Sequence, residues 1–137
     1  SYIFNKDDVR EPYSQQYLKV SGKPRKSTEG RFGKKETIYK AHESGAQPRD
    51  VINMPALSGG SGKKERVNHP TQKPLELCEK LIKSSMDKNG RNLIVIPFAG
   101  SGSECVTAKR LKLDYIGFEI NNEYIEISNK RLEEITI

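Results

Sequence analysis

Two features of the chain could do chemistry together. The first is "FAGSGSE", 98–104, in which Gly100 and Gly102 follow the apolar run "LIVI". Two glycines one residue apart after a strand let the backbone pass close to a ligand. The second is Glu119, which lies 17 residues beyond Gly102 in "DYIGFEI". A carboxylate at the end of the next strand can accept hydrogen bonds from ribose hydroxyls. Three ligands fit the glycine pair at first sight: a nucleotide phosphate, a dinucleotide and a nucleoside carrying methionine. The phosphate loop needs GxxxxGK[ST], and no Gly-Lys-Ser/Thr follows Gly102. The dinucleotide turn needs GxGxxG, and its third position is Cys105. That third glycine serves close packing beside a pyrophosphate, so a ligand without phosphates does not require it. The reading that remains is a nucleoside with a ribose, and S-adenosylmethionine fits it. The plainer alternative is a tight βα turn, with Glu119 an exposed cap.

These residues need elements to hold them. The chain divides near residue 68. Before it, Gly, Pro, Lys, Ser and Arg dominate and periodicity is poor. "YIF" (2–4) reads as the end of a strand, "ETIYK" (36–40) as a strand, and "SGGSGKKER" (58–66) as a loop. After it the pattern is regular. Pro74 is placed for the first turn of a helix, with Leu75, Leu77, Cys78, Leu81, Ile82 and Met86 as its apolar stripe. "NLIVIP" (92–97) reads as a buried parallel strand. Ser103 reads as the cap of a helix running to about Leu111, and "DYIGFEI" (114–120) as a second strand. Asn121 or Asn122 caps a last helix. About 20 residues from strand to strand is a short crossover, which implies adjacent parallel strands and right-handed winding. The predicted class is α/β, a partial Rossmann-like sheet of β-α-β-α order after a basic, loop-rich region. Two strands leave such a sheet incomplete.

The 137 residues suit a small core, since only 34% are hydrophobic and 31% are charged. No stretch approaches the ~20 apolar residues of a membrane span, and "SYIFNKDDVRE" does not read as a signal peptide. Cys78 and Cys105 have no zinc-like spacing, so no metal is expected, and a thiol-reducing cytoplasm fits best. The net charge is +6. Residues 19–40 hold eight basic residues, Lys19, Lys23, Arg25, Lys26, Arg31, Lys34, Lys35 and Lys40, against Glu29 and Glu36, so they carry the whole excess. Basic residues spaced by Gly, Ser and Thr suit phosphate contacts with nucleic acid, and equally a solvated loop. Lys23, Arg25, Lys26, Arg31, Lys34 and Lys35 are the candidate DNA contacts. His42 reads as a loop residue, and Tyr13 and Tyr17 as packing residues rather than base-stacking ones.

"NHPTQKPLELCEKLI", "PFAGSGSECVTAKRL" and "DYIGFEINNEYIEISNKRL" together resemble the carboxy-terminal part of a DNA methyltransferase of the amino-methylating, β-arranged kind. The resemblance covers 68–134 strongly, while 1–67 match only in character, as a target-recognition region. It implies a cofactor-binding part over 68–137 and S-adenosylmethionine as cofactor. It implies that Thr71 and Lys73 hold the methionine carboxylate. It implies that Phe98, Ala99, Gly100, Ser101, Gly102 and Ser103 form the cofactor loop, that Glu119 binds the ribose, and that Phe118 and Ile120 flank it near the adenine, with core packing an equal alternative for Phe118. Two positions depart from the family. Ile96 stands where an Asp usually helps hold the cofactor ammonium, and Ser103-Glu104 stand where a Thr pair is common.

The resemblance further implies methyl transfer to the exocyclic nitrogen of a flipped adenine (N6) or, second in preference, cytosine (N4) in double-stranded DNA. The family's catalytic motif, [DNS]-P-P-[YFW], is absent here, since no two of the seven prolines are adjacent. The chain is therefore expected to be inactive alone and to pair with an amino-terminal half or a complementary chain. The alternative is a non-catalytic DNA-binding or partner-docking module with a degenerate cofactor site, able to dimerise through an exposed sheet edge.

Overall fold

A computed structural model describes residues 2–25, 37–58 and 64–136. The chain forms two compact units, Lys6–Asp50 and Ser1–Asn5 together with Val51–Ile137.

In the Lys6–Asp50 unit, a 3-10 turn over Lys6–Val9 leads to helix α1, Gln15–Val20. Ser14 caps α1, its hydroxyl accepting the Tyr17 N–H at 3.2 Å. Strand β1, Pro24–Arg25, pairs antiparallel with β2, Thr37–Ile38, so "ETIYK" does supply a strand. Tyr13 and Tyr17 stack on each other, with ring centroids 4.7 Å apart. The Tyr13 hydroxyl accepts the N–H of His42, and the His42 Nδ1 accepts that of Ser44, which makes His42 a loop-bracing residue.

The second unit runs α2 (Leu75–Ser85), β3 (Leu93–Ile96), α3 (Ser103–Arg110), β4 (Asp114–Gly117) and α4 (Asn122–Glu133). Helix α2 buries Leu75, Cys78 and Ile82 from its apolar stripe, whereas Leu81 is exposed. Pro74 sits one residue before the helix, as its N-cap. A proline cannot cap with a side chain, and the Glu65 carboxylate does so instead, accepting the Leu75 N–H at 2.8 Å. At the other end the Asn5 amide donates to the carbonyls of Lys83 (3.0 Å) and Met86 (2.6 Å), and the Asn5 N–H donates to Ser84 (2.7 Å). The expectation of a strand end at "YIF" is thereby corrected. Residues 2–4 form no strand; the Asn5 that follows them gives its N–H and side-chain amide to the end of α2 rather than to a strand ladder.

Strands β3 and β4 are parallel neighbours, with Leu93 opposite Asp114 and Ile96 opposite Gly117. This is the crossover the sequence predicts. One face, formed by Ile94, Ile96 and Tyr115, packs with Ala99, Cys105 and Leu132. A Cβ on Gly117 would lie 2.8 Å from the Cys105 sulfur. The close helix–strand approach that a dinucleotide turn obtains from its third glycine is made here by a glycine on the strand. On the other face Leu93, Val95 and Ile116 are roughly half exposed. "NLIVIP" is thus buried on one side only. Parallel sheets usually have both faces covered, and nothing among the described residues of this unit covers the second.

Ladder contacts extend past the strand ends. The Phe118 N–H donates to the Ile96 carbonyl at 2.9 Å, and the Ala99 N–H to the Phe118 carbonyl at 2.8 Å. The second strand is shorter than "DYIGFEI", and these two bonds bring Glu119 against the glycine loop. Asn121 caps α4 through its side-chain oxygen and the Glu123 N–H at 2.9 Å. Ser103 does not cap α3. That position belongs to Gly102 in left-handed conformation (φ +72°), and the Ser103 hydroxyl donates to the Lys73 carbonyl at 2.9 Å. Both cysteines are buried and free. Among the described residues no helix is long and apolar enough to cross a membrane.

Candidate functional site

The glycine loop is held in place from below. Arg131 on α4 is buried and donates to the Ser101 carbonyl at 2.6 Å and to the Ser103 hydroxyl at 3.2 Å. Its burial pulls the guanidinium pKa below the ordinary value, but the group stays charged at any physiological pH. Gly102 presses on α4 so closely that a Cβ there would lie 2.0 Å from the Ser128 hydroxyl. Gly100 has φ +52°, and a Cβ there would meet the His69 ring at 2.8 Å. Two glycines therefore bring the loop against α4 on one side and against the "HPTQKP" segment on the other.

That segment is fixed by its own polar contacts. Gln72 accepts the Val67 N–H at 2.7 Å and donates to the Glu65 carbonyl at 2.8 Å. The His69 Nδ1 accepts the Thr71 N–H at 3.3 Å, and the ring packs edge-on against Tyr124 with centroids 4.4 Å apart. The Lys73 ammonium reaches the Glu104 carboxylate on α3 at 3.2 Å.

Glu119 is the most heavily coordinated acid of the site. Its carboxylate accepts the N–H groups of Gly100 at 2.7 Å and of Ile120 and Asn121 at 2.9 Å each. The amide hydrogens of Asn121 and then Gly100 hold its pKa below the usual glutamate value. Glu119 is thus an anion of fixed orientation at neutral pH. A carboxylate offers about four acceptor positions, and the three amides leave one on Oε2 for a donor from a ligand.

These parts enclose one cavity of about 260 Å³, lined by His69, Thr71, Lys73, Phe98, Ala99, Gly100, Ser101, Glu104, Glu119 and Tyr124. Seven of the nine predicted cofactor residues meet there: Thr71, Lys73, Phe98, Ala99, Gly100, Ser101 and Glu119. Gly102 and Ser103 lie behind the loop, buried, and do not line the cavity. Phe98 is 88% and Ile120 98% exposed, and Phe118 is also exposed, so none of the three packs in the core. A second cavity of about 240 Å³, lined by Tyr115, Gly117, Ile125, Ser128 and Leu132 among others, shares Ala99 and Glu119 with the first. Of the candidate DNA contacts, Lys23 is exposed and Arg25 lies on β1. Lys26, Arg31, Lys34 and Lys35 fall outside the described residues.

Sequence reasoning missed Arg131, Glu65 and Tyr124 as parts of the site. Arg131 carries no local signal, since a basic residue in the last turn of a helix is ordinary. Glu65 had one, an acid upstream of a helix whose Pro74 cannot cap it.

The site is thus one cavity of an α/β unit that gathers a glycine loop following a strand, a carboxylate oriented by backbone amides and a Lys–Glu pair. Comparison with known proteins gives the particular family. The model of the N6/N4 DNA methylases matches residues 1–130, and the chain belongs to that family. It is 42% identical over 90 residues to the type II methyltransferase M2.MboI of Moraxella bovis, covering 66% of this chain and 32% of that protein. It is 31% identical to the type II methyltransferase M.ScaI of Streptomyces caespitosus, over 97% of this chain and 39% of the relative. Among solved structures, the M1.HpyAVI–SAM complex is 38% identical, over 50% of this chain and 33% of that one, with a TM-score of 0.47. The chain spans roughly a third of the length of the curated relatives it matches.

Proposed function

We propose that this chain is the cofactor-holding part of a DNA methyltransferase acting on the exocyclic amino group of adenine, with cytosine N4 as the alternative base. The carrying observation is the convergence of "HPTQKP", the glycine loop and Glu119 on one cavity. The donor set fits S-adenosylmethionine. Glu119 has an acceptor position for a ribose hydroxyl, Lys73 supplies a cation for the tail carboxylate, and no phosphate cradle is present among the described residues. The cofactor brings a methyl group on a sulfonium, which the amino nitrogen of the base accepts. The residues of this chain orient the nucleoside: Glu119 through the sugar, the Gly100–Ser101 backbone by close approach, Thr71 and Lys73 at the tail. The basic stretch that includes Lys23 and Arg25 contacts the DNA backbone.

The exposed face of Leu93, Val95 and Ile116 supports a second part of the proposal. The rest of the enzyme, or a complementary chain bearing the catalytic motif, covers it, and without that partner the chain does not turn over. The test is titration with S-adenosylhomocysteine. Binding that Glu119→Ala abolishes supports the reading. Salt-sensitive DNA binding with no nucleoside binding would replace it with a DNA-binding module. Robust methyl transfer by the 137 residues alone would overturn the need for a partner.

A further inference from the structure

The cavity contains an acid that neither the ribose nor the carboxylate of the cofactor requires. Glu104 lies in the first turn of α3, about a quarter exposed, with its carboxylate 3.2 Å from the Lys73 ammonium and its side chain lining the same cavity as Glu119. Ile96, which ends β3 just before the loop, is apolar, 6% exposed and packed with Ala99 and Cys105, so the strand end offers the cavity no acid. It is not among the residues lining the cavity. We infer that Glu104 is the ammonium-binding residue of this site, and that it forms with Lys73 a paired receptor for the amino-acid tail of the cofactor. This rests on the nucleoside reading of the cavity.

The α-ammonium and α-carboxylate of an amino acid hang on one carbon, with nitrogen and carboxyl carbon about 2.5 Å apart by ordinary bond lengths. A cation and an anion in contact, both facing one cavity, present the complementary dipole at the matching separation. Lys73 comes from "HPTQKP" and Glu104 from the first turn of α3, directly after the glycine loop, so the tail bridges the two. A ligand with only a carboxylate would meet repulsion from Glu104 as well as attraction from Lys73. The pair therefore selects a zwitterion over a simple acid.

The test compares three ligands on the chain by calorimetry: S-adenosylhomocysteine, its des-amino analogue with hydrogen in place of the α-ammonium, and adenosine, which has no tail. The expected result is that Glu104→Gln weakens S-adenosylhomocysteine roughly tenfold, the scale of one charge-assisted hydrogen bond. Binding of adenosine stays within about twofold, and the des-amino analogue binds the variant no more weakly than the wild type. Lys73→Met weakens both tailed ligands. Tighter binding of S-adenosylhomocysteine by Glu104→Gln would overturn the inference, because Glu104 would then only compete for Lys73. Equal weakening of all three ligands would overturn it too, because Glu104 would then act through the fold. If the wild type binds adenosine, with Glu119→Ala abolishing it, yet does not distinguish the zwitterion from the des-amino tail, the inference alone fails. If the wild type binds none of the three, the nucleoside reading itself fails.

Discussion

Glu119 and Gly102 show how much of the site depends on single residues. At Gly102 a side chain faces two costs, a left-handed backbone at roughly 1–2 kcal/mol and a Cβ 2.0 Å from the Ser128 hydroxyl. Gly102→Ala should lower stability by at least about 2 kcal/mol and weaken nucleoside binding, read by thermal denaturation and calorimetry on the same sample. Glu119 works through charge. Its pKa is lowered by backbone amides, so its stabilising contribution is complete above the ordinary glutamate value of about 4.3. It is lost as pH falls through the lower folded value. The melting-temperature gap between wild type and Glu119→Gln should therefore be widest near neutrality and close in acid. The Glu119 position was legible because spacing after a glycine turn is set by the length of one crossover. Arg131 was not, because its role depends on how α4 lies across the loop, which no local pattern encodes.

At the level of elements, the β3–α3–β4–α4 order and the parallel pairing followed from hydrophobic run length and short crossovers. What the pattern missed was polar. The caps of α2 come from Glu65 and Asn5, at 10 and more than 70 residues' distance in the chain, and Ser103 gives its hydroxyl to Lys73 rather than to its own helix. Short-range capping rules find partners within three residues, so tertiary caps escape them. The join between α4 and the loop can be tested directly. Arg131→Met keeps much of the side chain's bulk and leaves the Ser101 carbonyl without its guanidinium donor. It should cost about 1–3 kcal/mol, with nucleoside affinity falling alongside, while α1 and the β1–β2 pair keep their hydrogen-exchange protection.

For the whole molecule, composition pointed to a limited core, and the half-exposed Leu93, Val95 and Ile116 show where the limit falls. An uncovered apolar sheet face favours association. Val95→Lys should reduce concentration-dependent self-association in sedimentation while costing no more than about 1 kcal/mol of stability, since Val95 faces away from the α3–α4 layer. The same substitution should impair complementation by an amino-terminal half, if that half is what covers the face. The basic excess of 19–40 belongs to this scale as well, because net charge acts through summed field rather than a single contact.

Arg131 sits two residues short of the end of α4 and grips the carbonyl of Ser101. Whatever steadies the loop therefore steadies the last turns of α4. Occupancy of the cavity and fraying of that end of α4 are two readings of one equilibrium. A fluorescent label on the outward side of α4, at Lys130 for example, would report the arrival of a nucleoside from outside the pocket. It would turn a structural brace into a sensor for ligand screening.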